Sequence, residues 1–335
     1  MTLSPVNRQR LLFLVLCFVW GTTWLGMKVG IAAVPPGVFA GSRWTVAGLI
    51  LLALCKLRGE PVRPTPRIAR RLVLVAVLMV TLNQVIQLYG LKHISAGLAA
   101  VISSSLTPIS LFGFSVAIGQ EGVNLRQLAA MALGTFGLLV LFGPAALAGT
   151  LDGWTLLGAL GVIVGCLCYS VGTIMARPLM ITLAPTQMAA LTNLIGGAIL
   201  LSASVITEPG AGEALRLQWG WPSLLAWLYL LLPGSILSTT IYFKLICDWG
   251  ASRTGTYAFV SPVIAVILGV RFFGEHVGWS EFAGMAMMLT AAGLALRLRR
   301  SGPIRFTLRQ MLAMRAHRAV GNAAIARSGR LVDER

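Results

Sequence analysis

The sequence predicts an all-α membrane protein, ten transmembrane helices arranged as two inverted five-helix repeats with both termini cytoplasmic. Three observations predict it. Of 335 residues, 57% are hydrophobic and 11% charged, whereas soluble domains carry roughly a quarter charged residues; mean hydropathy is +0.83. The apolar residues fall in runs that match the ~20 residues needed to cross ~30 Å of hydrocarbon. The two halves of the chain also superpose on each other.

In order, the apolar spans are 11–31, 38–56, 72–91, 96–118, 127–143, 155–175, 187–206, 223–243, 254–273 and 281–298. The first follows Arg8 and Arg10, as a secretory signal would, but its apolar run continues to Ile31. That is too long for a signal core, so it reads as a retained helix. A cytoplasmic N-terminus puts Arg8, Arg10, the Lys56, Arg58, Arg63, Arg67, Arg70 and Arg71 loop, Arg126, Arg177, Lys244 and Arg253 inside, together with the basic tail. The opposite side receives Lys92, Arg216 and Arg271. The positive-inside bias selects that orientation. The net charge of +17 therefore reads as membrane orientation, and no nucleic-acid partner is expected.

Internal repetition divides the spans. A shift of 154 lays Pro108 on Pro262 and Glu121 on Glu275, bringing SLTPISLFGFSVAIGQEG over FVSPVIAVILGVRFFGEH. A shift of 149 lays Pro36 on Pro185, Gly48 on Gly197 and Lys28 on Arg177; an insertion near 207–221 accounts for the difference. The units are 11–143 and 155–298, followed by a tail, 299–335. Because five is odd, the second unit enters the membrane from the opposite face. Inverted repeats recur in secondary transporters, where the substrate site lies between the halves.

Two stretches carry a family resemblance: FVWGTTWLGMKVGIAAVPPGVFAGSRWTVAGLILL and GASRTGTYAFVSPVIAVILGVRFFGEHVGWSEFAGMAMMLTAAGLAL. They resemble the opening of the EamA-type drug/metabolite transporter family and the end of its second repeat. The resemblance extends over about 11–298. It departs at Tyr169, where a tryptophan is common. It implies an inner-membrane exporter or exchanger of amino acids, related metabolites or drugs, working by alternating access between the repeats.

Candidate cavity residues follow from helix period and repeat. Trp20, Trp24 and Lys28 lie on one stripe, at i, i+4 and i+8, and their repeat partners Tyr169, Thr173 and Arg177 form another. These stripes fit aromatic cavity walls with a cation at each mouth; the basic heads equally fit snorkelling to headgroups. Arg43 sits about six residues, or ~9 Å of rise, inside the second span. Arginine at bilayer depth costs ~2.5–3.5 kcal/mol on insertion scales, so it faces protein or water. It can hold a substrate carboxylate bidentately or bind helix-end carbonyls. The second role is favoured here, because Thr192 at the equivalent position shows that symmetry requires no cation. Asn83, Gln84 and Gln87 in the third span and Asn193 in the seventh need partners that lipid does not provide. Ser104 precedes Pro108, and Tyr257 precedes Pro262; both prolines are candidate helix breaks, with neighbouring hydroxyls that either line a site or repair the helix. Gly26/Gly30, Gly37/Gly41 and Gly161/Gly165 read as close helix packing.

The remaining signals are exclusions. The cysteines (Cys17, Cys55, Cys166, Cys168, Cys247) show no metal-ligand spacing with His93, His276 and His317, and neither metal nor cofactor is expected. No span holds a central aspartate or glutamate, so the usual element of a buried proton relay is missing. HExxH and Walker loops do not occur, and no paired membrane aspartates or serine–histidine arrangement supports an intramembrane enzyme. A receptor or assembly factor would account for ten helices but not for an inverted duplication. The tail carries nine arginines. It reads either as a basic amphipathic helix on anionic lipid or as a solvated segment. The expected partners are a small-molecule substrate and the bilayer; oligomeric state is not legible.

Overall fold

A computed structural model describes residues 4–60, 62, 64–94, 96–147, 152–216, 218–273 and 278–297. The tail, and with it Glu275, His276 and His317, lies outside the described residues. The long helices are α1 Pro5–Gly30, α2 Pro36–Leu57, α3 Pro66–His93, α4 Ala96–Ala117, α5 Leu125–Leu147, α6 Gly153–Ala176, α7 Pro185–Thr207, α8 Trp221–Trp249, α9 Tyr257–Phe273 and α10 Trp279–Arg297. Two short helical turns, Ala211–Ala214 and Ala251–Gly255, precede α8 and α9. Among the described residues there is no strand.

Local chemistry sets the helix starts. Proline occupies the first or second helical position of α1, α2, α3, α7 and α8, where its missing N–H costs nothing and its fixed φ suits the helix. Asp152 caps α6 by accepting from the Thr155 amide at 2.8 Å. Among the described residues, eight helical segments are long and apolar enough to cross a membrane; two further apolar helices, Val101–Ala117 and Leu125–Leu141, are shorter. Large side chains such as Leu11, Leu14, Leu25, Leu139 and Leu156 are about half exposed or more, as a lipid-facing surface requires. Trp154, Trp221 and Trp279 are exposed at the first turns of α6, α8 and α10, the placement of an interfacial aromatic belt.

The packing obeys the duplication. α2 lies along α7, α5 along α10, α3 and α4 against α6, and α8 and α9 against α1. Exchanging each helix with the one five further on maps this set onto itself. The α2–α7 crossing shows the same relation at atomic scale. A methyl group on Gly48 would run into the backbone nitrogen of Leu194, and one on Gly197 into that of Thr45. Gly48 and Gly197 are 149 residues apart, as are Thr45 and Leu194. Only glycine lets two backbones approach this closely.

Two corrections to the sequence reading concern helix irregularity. Pro108 and Pro262 sit inside unbroken α4 and α9. Each removes a single donor, and the neighbouring turns hold the helix together. The irregular backbone lies instead in α3 and α8, as π-turns at Val77–Leu82 and Leu230–Leu237. A shift of 154 superposes them. π-turns of this kind are frequent at functional sites.

Candidate functional site

The π-turns of α3 and α8 face the α2–α7 pair, and between them lies a polar centre. Arg43 of α2 is 4% exposed. Its Nη2 donates to Gln84 Oε1 of α3 at 3.0 Å, and its Nη1 to Ser235 Oγ of α8 at 3.2 Å. Gln84 Oε1 also accepts from Trp44 Nε1 at 3.2 Å, and the guanidinium carbon lies 4.8 Å from the Trp44 ring. Asn193 of α7 donates to the Ser235 carbonyl at 3.1 Å. Thr81, at the position equivalent to Ser235, donates to the Gly196 carbonyl at 2.9 Å. Neither Arg43 hydrogen bond reaches a helix-end carbonyl; both go to neutral side chains.

From Ser235, α8 presents Ser238, Thr239 and Tyr242 at helical spacing, all buried. The stripe leads to an aromatic cluster. Trp20 of α1 sits with its ring 4.5 Å from Tyr257, 5.1 Å from Tyr242 and 6.5 Å from Tyr169. Tyr242 in turn lies 5.6 Å from Tyr169 and 6.1 Å from Tyr257. Edge and tilted contacts of this kind suit ring quadrupoles. The Tyr242 hydroxyl meets Thr173 Oγ1 at 3.1 Å.

The expected site residues therefore divide. Trp20, Tyr169 and Tyr257 meet in one cluster, and Arg43, Gln84 and Asn193 meet in the polar centre beside it. Asn83 and Gln87 turn toward α6, flanking Gly165, and Gln87 donates to Cys166 Sγ at 3.6 Å. Ser104 is buried on α4, one turn before Pro108, and Lys28 is exposed at the end of α1. The Trp24 side chain lies outside the described residues. Ser235, Ser238, Thr239 and Tyr242 went unnoticed in the sequence reading, although their spacing of three, one and three residues is a one-face helical signal.

Each end of the bundle has a carboxylate linking the two repeats. At the end holding the starts of α1 and α3, Glu121 pairs with Arg177 at 3.8 Å, both side chains about 95% buried. Glu121 also accepts from the Ser252 hydroxyl and, at 3.4 Å, from the Ser252 amide. Gly250, with φ +88°, presses against the same carboxylate: an added methyl there would come within 2.9 Å of Oε1. At the opposite end, Glu208 accepts from the Gly37 amide at 3.0 Å, the Val38 amide at 3.3 Å, the Tyr89 hydroxyl at 2.7 Å and the Ser204 hydroxyl. Burial pushes the Glu208 carboxyl up, but these hydrogen bonds outweigh it and hold it below the usual glutamate value. Among the described residues, no group of three His, Cys, Asp or Glu side chains is placed to bind a metal.

The pattern of the EamA-like transporter family matches the chain twice, over 9–143 and 156–297. The chain belongs to this family. A relative from Escherichia coli strain K12, the uncharacterized inner membrane transporter YedA, is 29% identical over 280 residues, covering 83% of this chain and 87% of its own. The uncharacterized transporter YvbV of Bacillus subtilis is 27% identical over 292 residues, covering 86% and 91%. The fold is shared with a solved crystal structure at TM-score 0.70 and 19% identity, over 86% of this chain and 96% of that one. This EamA-like protein is thus a multi-pass inner-membrane transporter built from two repeats.

Proposed function

We propose that this transporter is a secondary exporter or exchanger of small metabolites, such as amino acids or drugs, that works by alternating access between its repeats. All ten long helices cross the bilayer, residues 11–143 and 155–298 enter from opposite faces, and both termini, with 56–71 and 299–335, are cytoplasmic. One observation carries the reading. The buried polar centre is assembled from α2, α3, α7 and α8, two helices from each repeat, and two of them carry superposable π-turns. A site shared by two halves is one that their rocking exposes to either side in turn. The Glu121 and Glu208 contacts then act as gates, since each joins the two repeats at one end and must part when that end opens.

Reconstitution tests the reading. Proteoliposomes holding the purified protein should move labelled members of a panel of amino acids, organic acids, amines and nucleosides, with a rate that responds to membrane potential or a pH gradient. Absence of flux for every member, with the protein inserted and folded, contradicts it.

A further inference from the structure

Among the described residues two arginines are deeply buried, Arg43 and Arg177, and their charges are met differently. Arg177 is paired with Glu121. Arg43, equally buried, meets among the described residues only the neutral oxygens of Gln84 and Ser235 and the Trp44 ring; its Nε is buried without a hydrogen-bond partner, as is that of Arg177, so the two differ in the missing counter-charge. Among the described residues no carboxylate reaches it. The acidic residues among those described lie at helix ends or in the segments that connect the long helices. A guanidinium out of water is stable only when its charge is answered and its donors used. Here the protein supplies neither in full.

Beside that cation runs an unfinished polar track. The Ser238 and Thr239 hydroxyls are buried and unpartnered, as is that of Ser261. Ser235 and Tyr242 are seven residues apart on α8, ~10 Å of rise. At the far end stand the rings of Trp20, Tyr169, Tyr242 and Tyr257. The track therefore has a cation at one end, hydroxyls along it and aromatic faces at the other.

We propose that Arg43 docks the carboxylate of the transported molecule, so that the substrate class is a small organic anion with an apolar or aromatic body. This rests on the transporter reading above and adds the substrate's charge and the residue that reads it. Arg43 is favoured over Lys at such a position because its planar fork matches a carboxylate and three of its donors face different directions. The neutral partners seen here hold the guanidinium in place until the anion arrives.

The test compares carboxylates with their primary amides in proteoliposomes: L-phenylalanine, 3-phenylpropionate and lactate, each against its amide, with phenethylamine and a nucleoside as carboxylate-free probes. The expected result is flux of at least one carboxylate, with its amide competing at least tenfold more weakly. Arg43→Gln should bring that ratio near one at an unchanged melting temperature, and Arg43→Lys should fall between. Flux of carboxylate-free probes without carboxylates overturns the anion assignment and leaves the transporter reading standing. So does equal competition by acid and amide in the wild type, a comparison that needs no variant to fold. An Arg43→Gln protein that loses stability and slows every probe alike assigns Arg43 to helix packing instead. If the inserted wild type moves no probe, the transporter reading fails and this proposal with it.

Discussion

Glu121→Ala is expected to lower the unfolding free energy in mixed micelles by about 3–5 kcal/mol, the cost of stranding one member of a buried ion pair. The structural basis is the burial of both side chains and the absence of another carboxylate on Arg177 among the described residues. Glu121 also holds the Ser252 amide and hydroxyl, so its loss frees the short turn that leads into α9. The double variant Glu121→Gln, Arg177→Met should recover much of the loss, because it leaves no buried charge unanswered. A denaturant series on the wild type, both single variants and the double variant reads the coupling directly. If Glu121→Ala unfolds like the wild type, the pair does not hold this end of the bundle together.

The second large effect lies at the α2–α7 crossing. Gly48→Ala or Gly197→Ala places a methyl group on the backbone of the facing helix, and the two helices must separate to admit it. Overpacking of this kind costs about 1–3 kcal/mol, and Leu at either position should prevent stable folding. The two alanine changes should not add, since one separation relieves both clashes. Thermal unfolding of the two single variants and the pair checks this. Two independent, fully additive losses would mean that the crossing is not shared.

Much of this architecture is readable in the sequence because lipid imposes a simple rule: every buried backbone group bonds within its own helix, so span, period and repeat survive as pattern. The Trp20 and Tyr169 stripes illustrate it, for helix period and a shift of 149 bring both into one aromatic cluster. The amphipathic start of α3, with Arg67, Arg70 and Arg71, was missed as helix because apolar runs alone mark only its later part. The π-turns leave little local signature: Pro233 lies inside one, but Val77–Leu82 contains no proline. Arg43 is buried in the protein, yet its partners are 41 and 192 residues away, and no periodicity reports such distances. Glu121 and Arg177, 56 residues apart, escaped for the same reason. Ser238 and Thr239 were overlooked although their helical spacing with Ser235 and Tyr242 was in plain view.

The central claim is that the polar track between the repeats opens to each side of the membrane in turn. Thr239, midway between Arg43's partner Ser235 and Tyr242, reports on it. In a background lacking the five native cysteines, Thr239→Cys should react with a membrane-impermeant thiol reagent from either side of oriented vesicles, whereas Arg58→Cys should react from the cytoplasmic side alone. A transported probe should slow the Thr239→Cys reaction from both sides. Reaction of Thr239→Cys from one side only, whatever probe or gradient is applied, would contradict alternating access through this site.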